Sequence, residues 1–202
     1  MTKRKDHWEH VWTSADETGR SWYQKRPDRS LDLVADFAPP GGRVIDVGGG
    51  SSRLVDGLLE AGLTPSVLDI SSAALAISRS RLGGRASEVD WIVADVTTFE
   101  PDQVWDVWHD RAAFHFLLDP ADRAAYVRAA ARGVSPGGVA VIASFGADGP
   151  RRCSGLDTRG YGAPALAAEF GEDFRLERAE TESHVKPNGD TQQFQWVVLR
   201  RV

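Results

Sequence analysis

The feature that most constrains this chain is a regular alternation of short apolar runs with helical stretches. Arg43-Val44-Ile45-Asp46-Val47 is largely β-branched and runs straight into Gly48-Gly49-Gly50. A run of this kind, closed by a glycine turn, reads as a buried strand. Ser51 or Ser52 offers a helix cap, Leu54, Val55, Leu58 and Leu59 form an apolar stripe, and Gly62 suits the stop. The unit then repeats. Ser66-Val67-Leu68-Asp69 is a second strand, and Ser71 or Ser72 caps a helix that ends near Gly83-Gly84. Residues 91–95 and 104–108 are a third and a fourth strand. Asp119-Pro120 opens a helix, and Pro136-Gly137-Gly138 turns the chain into a fifth strand over 139–143. Strands that are apolar on both faces and separated by helices build a parallel sheet covered on both sides.

After residue 145 the pattern changes. Residues 146–162 read as a long loop and 164–170 as a short helix. Residues 174–184 and 192–199 alternate apolar and polar around Pro187-Asn188-Gly189-Asp190, a hairpin signal. The expected fold is therefore α/β: a doubly wound, mostly parallel sheet with helices on both faces and a C-terminal antiparallel hairpin. We expect one domain over 1–202, with a helical lid segment (1–40), a cofactor-binding core (41–145) and a substrate-side loop and hairpin (146–202).

Composition narrows the function classes. A chain of 202 residues with 42% hydrophobic and 26% charged residues is ordinary for one globular domain. A net charge of −5 argues against generic binding to nucleic acid or to an anionic membrane. The single cysteine, Cys153, excludes an internal disulfide and a multi-cysteine zinc site, and we expect no metal. No apolar run is long enough to cross a bilayer, and none follows the basic start, so a cytoplasmic protein is expected, as a monomer or a homodimer.

The motifs lie at strand ends. Asp46-x-Gly48-Gly49-Gly50-Ser51-Ser52 sits at a strand-to-helix turn, where glycines let the backbone approach a ligand and offer amide donors. A tight turn would use the same glycines for steric reasons alone. Asp69, 23 residues after Asp46, ends the second strand, and an acidic residue there accepts from both ribose hydroxyls of an adenosine ligand. Asp95, followed by Val96, ends the third. Helix capping accounts for each aspartate separately, but less well for three at one sheet edge, where open α/β sheets bind their ligands.

On Val44 to Gly50, Val67-Leu68-Asp69-Ile70-Ser71, Ala94-Asp95-Val96 and Ser135-Pro136-Gly137-Gly138, the chain resembles the class I S-adenosylmethionine-dependent methyltransferases, which have a Rossmann-like fold. The resemblance covers roughly residues 40–145. It implies S-adenosylmethionine as methyl donor and S-adenosylhomocysteine as product. It places the glycine loop (Asp46, Gly48, Gly49, Gly50) against the methionine part of the cofactor, Asp69 on the ribose, Ile70 on the adenine face, and Asp95 with the Val96 amide at the adenine amino group. Ser52 stands where the family usually has its third glycine. A dinucleotide-dependent oxidoreductase fits less well: residues 48–53 lack the last glycine of G-x-G-x-x-G, and no Tyr-x-x-x-Lys pair is present.

The segment after the fourth strand, with His109-Asp110-Arg111-Ala112, resembles the Asp-Arg-Gly segment of thiopurine methyltransferases and the acidic-Lys-Gly segment of elongation-factor-type lysine methyltransferases. The resemblance implies that the segment faces the transferring methyl group and that N-terminal aromatics, here Trp12, Trp22 or Tyr23, close over the cofactor. Ordinary apolar burial would also account for these aromatics. Methyl transfer to an amine or hydroxyl needs a proton acceptor, whereas a thiol is already partly ionised near neutral pH. Asp110, His109 and His115 are the candidate acceptors, and His109 is also a candidate cofactor contact. Arg111 would orient Asp110 or bind an anionic substrate; either histidine would serve equally as a hydrogen-bonded turn or core residue. Arg151 and Arg152 would lower the Cys153 thiol pKa if they face it, and the tail from there is similar to that of chalcogen methyltransferases, although a solvent loop with an incidental cysteine fits as well. The expected acceptor is a small molecule of thiol or chalcogen type. A protein lysine is the alternative, and a non-catalytic S-adenosylmethionine-binding protein the alternative from another class.

Overall fold

The computed structural model describes residues 3–14 and 17–202. Met1, Thr2, Ala15 and Asp16, part of the expected lid segment, lie outside the described residues. In chain order the elements are α1 (Lys3–Ser14), α2 (Asp28–Phe37), β1 (Arg43–Val47), α3 (Leu54–Glu60), β2 (Thr64–Asp69), α4 (Ser72–Leu82), β3 (Asp90–Val93) and β4 (Trp105–Arg111). They continue with α5 (Pro120–Gly133), β5 (Val134–Phe145), β6 (Arg152–Cys153), β7 (Leu156–Asp157), α6 (Ala163–Glu169), β8 (Phe174–Val185) and β9 (Thr191–Arg201).

The main sheet has the order β3-β2-β1-β4-β5-β9-β8. β1 to β5 pair in parallel, while β9 runs antiparallel to both β5 and β8. This is the expected doubly wound sheet with its terminal hairpin. The strand order reverses between β1 and β4, so the carboxyl edge opens a crevice there, with the ends of β2 and β3 on one side and of β5 on the other.

Two cores clamp the sheet because alternate residues of each strand point to opposite faces. Ile45, Val47, Trp105 and Trp108 face α5 and α6 and pack with Tyr126, Leu166 and Phe170. Val44, Val107, Val139 and Val141 face the other way and meet Leu33 and Val34 of α2 and Leu54 and Leu58 of α3. Each of these leucines is fully buried, which contributes about 1.5–3 kcal/mol per side chain. Helix starts follow local chemistry: the Ser71 side chain accepts from the Ala74 amide, and Asp119 from the Ala121 amide ahead of Pro120. At α3 the N-cap position is Arg53, and Ser52 Oγ instead accepts from the Leu54 amide.

Three expectations change. β4 runs to Arg111, so His109, Asp110 and Arg111 belong to the strand and not to a segment after it. The reason is pairing: His109, Asp110 and Arg111 stand opposite Val141, Ile142 and Ala143 of β5, and the ladder carries the strand past its apolar stretch. The loop after β5 holds a small hairpin, β6–β7, turned at Ser154 and Gly155, both with positive φ. The segment before β1 contains α2, whose Leu33 and Val34 belong to the core.

Candidate active site

A cavity lies along the carboxyl edge. One end is lined by Leu68, Asp69 and Ile70 from the end of β2 and by Ala94, Asp95 and Val96 after β3. The other is lined by Arg111, His115, Phe116, Phe145, Cys153 and Phe194. Trp8 and Trp12 of α1 and Trp22 after it form the cover between.

The cover is fastened chemically. The Glu9 carboxylate accepts from the Ser72 amide (2.7 Å), the Ala73 amide (3.1 Å) and the Ser71 and Ser72 hydroxyls (3.0 and 2.8 Å) at the start of α4. Burial pushes this carboxyl up, but the hydrogen bonds from Ser72, Ala73 and Ser71 outweigh it and hold it below the usual range. Arg4 reaches Asp95 (3.3 Å) and also bonds Asp122 of α5. The Arg20 guanidinium lies 4.4 Å from the Trp12 ring centre and donates to the Val11 carbonyl (2.7 Å). Trp8 stands edge-on to Trp22 and Phe116.

The glycine loop is built for close approach. A Cβ on Gly48 would come within 2.7 Å of the Ala113 Cβ, and one on Gly50 within 2.9 Å of the Trp12 ring and 3.2 Å of an Asp69 oxygen. Both glycines have positive φ. The Gly48 and Gly49 amides donate to the Leu68 carbonyl (2.7 and 3.3 Å), so they tie β1 to β2 and are not the free donors expected from the motif.

Asp69 is buried. Burial raises its pKa to about 7 against the opposing amides of Ser71 and Gly50, with the charges of Asp46 and Glu9 adding to the rise. Its Oδ1 accepts from the Ser71 amide (2.8 Å). A carboxylate held at such a cost beside an apolar slot suits a diol donor. Asp95, half-buried, accepts from the Thr97 amide and hydroxyl (3.0 and 2.7 Å) as well as from Arg4. The donor set at this end thus fits an adenosine: acceptors for ribose hydroxyls and an exocyclic amine, with Ile70 and Val96 as apolar walls.

Of the residues expected at the site, Trp12, Trp22, Gly48, Asp69, Ile70, Asp95, Val96, Arg111 and His115 come together around the cavity. Tyr23, Asp46, Gly49 and His109 line a smaller recess beside it, which also holds Ser51 and Ser52. Gly50 is buried under Trp12. His109 does not reach the large cavity. Its Nδ1 bonds Asp46 (2.8 Å) and its Nε2 bonds Ser30 Oγ of α2 (2.9 Å), a buried chain that pins the end of β1 to α2.

Asp110 points to the opposite face of β4. Its carboxylate accepts from the amides of Ala113 (2.8 Å) and Phe114 (3.0 Å) and from the Tyr126 hydroxyl (2.7 Å). Burial raises it to about 6. These contacts make it the clamp of the turn after β4 and not a base on the substrate. They also carry Ala112 at φ 76°, in the left-handed region where the resembling motif has glycine.

His115 is fully buried and stacks on Phe145 (4.2 Å). Burial, helped by the charge of Arg111, lowers it to about 3, so the ring stays neutral and is too weak a base to take a proton. Its Nδ1 accepts from the Phe145 amide (3.4 Å), which puts the ring hydrogen on Nε2. For Cys153 the expected lowering is reversed. Burial pushes the thiol up, and Arg152 turns instead to the Gly155 carbonyl and to Asp157. The sequence reading missed Arg4, Glu9, Phe145 and Phe194. A sequence shows a strand's alternation, but only the β5–β9 register, with Phe145 opposite Phe194, brings those two rings to the edge.

A doubly wound sheet with buried carboxylates and a covered cavity at its carboxyl edge has the architecture of a nucleoside- or nucleotide-binding protein. Residues 44–138 match the family model of a methyltransferase domain. The chain thus carries an S-adenosylmethionine-dependent methyltransferase domain at its core, over somewhat less than half of its length. No curated protein matches the chain. An S-adenosylmethionine-dependent methyltransferase from Anabaena variabilis is similar with a TM-score of 0.79 at 15% identity, over 100% of this chain and 96% of its own. A protein solved in work on the conversion of a disulfide bond into a thioacetal group during echinomycin biosynthesis gives 0.76 at 21% identity, over 98% and 92%. The 1,6-didemethyltoxoflavin-N1-methyltransferase of Burkholderia thailandensis, solved with 1,6-didemethyltoxoflavin and S-adenosylhomocysteine, gives 0.70 at 19%, over 98% and 84%. At these identities the likeness is one of fold.

Proposed function

We propose that this enzyme methylates a small-molecule nucleophile of thiol or chalcogen type. The observation that carries this is the chamber beyond the adenosine slot. It is closed over by Trp8 and Trp22 and walled by Phe116, Phe145 and Phe194, which suits a small planar guest better than the side chain of a folded protein. Among the described residues, the only carboxylates lining the cavity are Asp69 and Asp95, both at the adenosine end. With His115 held neutral and Asp110 committed to the turn after β4, no carboxylate or imidazole among the described chamber residues is free to take a proton. An amine or hydroxyl would need one, and an ionised thiol would not. A lysine ammonium would also meet the like charge of Arg111.

S-adenosylmethionine supplies an electrophilic methyl on a sulfonium. Asp69 and Asp95 fix the adenosine, the Gly48–Gly50 loop and the recess with Ser51 and Ser52 take the methionine part, and the aromatic cover excludes water and holds the acceptor in line. In this reading α1 and the segment through Trp22 act as the lid, α2 and residues 41–145 as the cofactor core, and 146–202 as the acceptor side. The test is calorimetric titration with S-adenosylhomocysteine and NADH, followed by mass spectrometry of a thiol, selenite and tellurite panel incubated with S-adenosylmethionine. Micromolar S-adenosylhomocysteine binding, no NADH binding and methylated thiol or chalcogen are expected. Binding with methylation confined to lysine-containing proteins would overturn the acceptor class.

A further inference from the structure

Arg111 is a chamber residue whose surroundings do not balance it. It leaves the end of β4 one residue beyond the last β1 pairing and turns into the cavity. Its guanidinium carbon lies 4.4 Å from the Phe194 ring centre, and Nη1 donates to the Trp22 carbonyl (3.2 Å). Nε and Nη2 are out of contact with solvent and have no partner. Glu182, whose charge bears on it, makes no ion pair with it; that carboxylate accepts from the Trp196 indole (2.9 Å). Burial lowers the guanidinium to about 10, which still leaves it charged. Beside it, His115 Nε2 is likewise buried, carries the ring hydrogen and has no partner.

A buried cation without a counter-ion is costly, and so is a buried N–H without an acceptor. Here two side chains that line one aromatic chamber carry three buried donor atoms without a partner. The chamber's other polar side chains, Ser21, Cys153 and Gln192, carry no charge that offsets Arg111 at neutral pH. Guanidinium donors match planar anions, and the flanking Phe145 and Phe194 rings match a flat apolar body.

Resting on the methyltransferase reading, we infer that Arg111 and His115 form an anion-recognition site for the methyl acceptor, which enters as a planar aromatic anion. The charge sits either on a carboxylate or on the ionised nucleophile itself. In the second case the nucleophile's lone pair forms the bond to the methyl carbon as the methyl–sulfonium bond breaks. The departing sulfur keeps that pair as a neutral thioether, the product is neutral, and no proton has to be moved.

The probes are two matched pairs, benzoate against benzamide and thiophenolate against thioanisole. Each is titrated into protein saturated with S-adenosylhomocysteine and followed by tryptophan fluorescence and calorimetry. At least one anion should bind tenfold or more tightly than its neutral partner, and the preferred pair tells whether the charge is a carboxylate or the nucleophile. Arg111→Met should bring that ratio to within about twofold, and Arg111→Lys should keep part of it. S-adenosylhomocysteine affinity should change less than threefold in both variants. Equal binding within both pairs, or an anion preference that survives Arg111→Met, would overturn the inference. Wild-type protein that fails to bind S-adenosylhomocysteine would sink the methyltransferase reading itself, a separate result visible before any probe is added.

Discussion

On the cofactor role proposed for Asp69, S-adenosylhomocysteine affinity should depend on pH around neutrality. The Asp69 carboxyl is raised to about 7 by burial, with Asp46 and Glu9 adding like charge and the Ser71 and Gly50 amides opposing. The ribose hydroxyls donate, so they bind the ionised form. For such a group the apparent Kd scales as 1 plus ten to the power of pKa minus pH. The factor is about 11 at pH 6 and about 1.1 at pH 8, a tenfold loss worth about 1.4 kcal/mol. Calorimetry with S-adenosylhomocysteine at pH 6, 7 and 8 and constant ionic strength reads this directly. Repeating the pH 6 titration in buffers of different ionisation enthalpy should show close to one proton released per ligand bound. His115, lowered to about 3, and Arg111, lowered to about 10, titrate outside the window. Asp110, raised to about 6, lies inside it but faces away from the cavity. Asp69→Asn separates the two: it should weaken binding and flatten the profile. A Kd constant within twofold from pH 6 to 8, with no proton release, would refute the role given to Asp69.

Ala112→Gly should stabilise the protein slightly. Relief of a left-handed alanine contributes about 1–2 kcal/mol, and the freer unfolded chain takes back about 0.4–1, for a net gain of about 0.5–1 kcal/mol in thermal denaturation; a loss would show that the methyl group's packing outweighs its backbone strain. Tyr126→Phe deprives the buried Asp110 of a 2.7 Å donor and the Trp108 indole of its 2.9 Å acceptor. It should cost about 3 kcal/mol, or roughly 6–12 °C in Tm, with S-adenosylhomocysteine affinity unchanged, and a loss below about 1 kcal/mol would contradict the assigned network. Glu9→Ala removes the acceptor at the start of α4 and should raise the Kd for S-adenosylhomocysteine about fivefold, about 1 kcal/mol, while hydrogen exchange speeds up in α1. Because the folded-state pKa of Glu9 is depressed, its contribution is present above the usual carboxylate range and is lost as pH falls through and below it, so the wild-type helix should loosen in acid and the variant should not change further.

The sheet was legible because its signals are local. The runs at 43–47 and 66–69 are apolar on both faces, and each is closed by glycine or serine at the turn, so neither depends on a distant partner to be a strand. The adenosine end was legible for the same reason: Asp69 ends β2 where the sequence puts it, while Asp95, expected as the last residue of the third strand, lies two residues past the end of β3 because that strand stops pairing with β2 at Val93. The acceptor end was not. Whether Asp110 or Arg111 faces the chamber turns on where β4 stops, and that is set by pairing with β5, not by the residues themselves. Arg4 and Glu9 act on residues 91 and more than 60 positions away, and nothing in a polar stretch such as Lys3–His10 announces those partners.

The way α1 is fastened also limits how this enzyme can be rebuilt. Trp12 fills the space that a side chain on residue 50 would need, and Glu9 completes the start of α4. The cover and the core therefore share parts, like a key cut together with its lock. A chimera that replaced the first two dozen residues with those of a similar methyltransferase would have to bring its own residues at 50 and 71–73. Without them it would lose both the cap of α4 and the seal over the glycine loop, so the smallest exchangeable unit in this fold runs from the N-terminal helix through the start of α4.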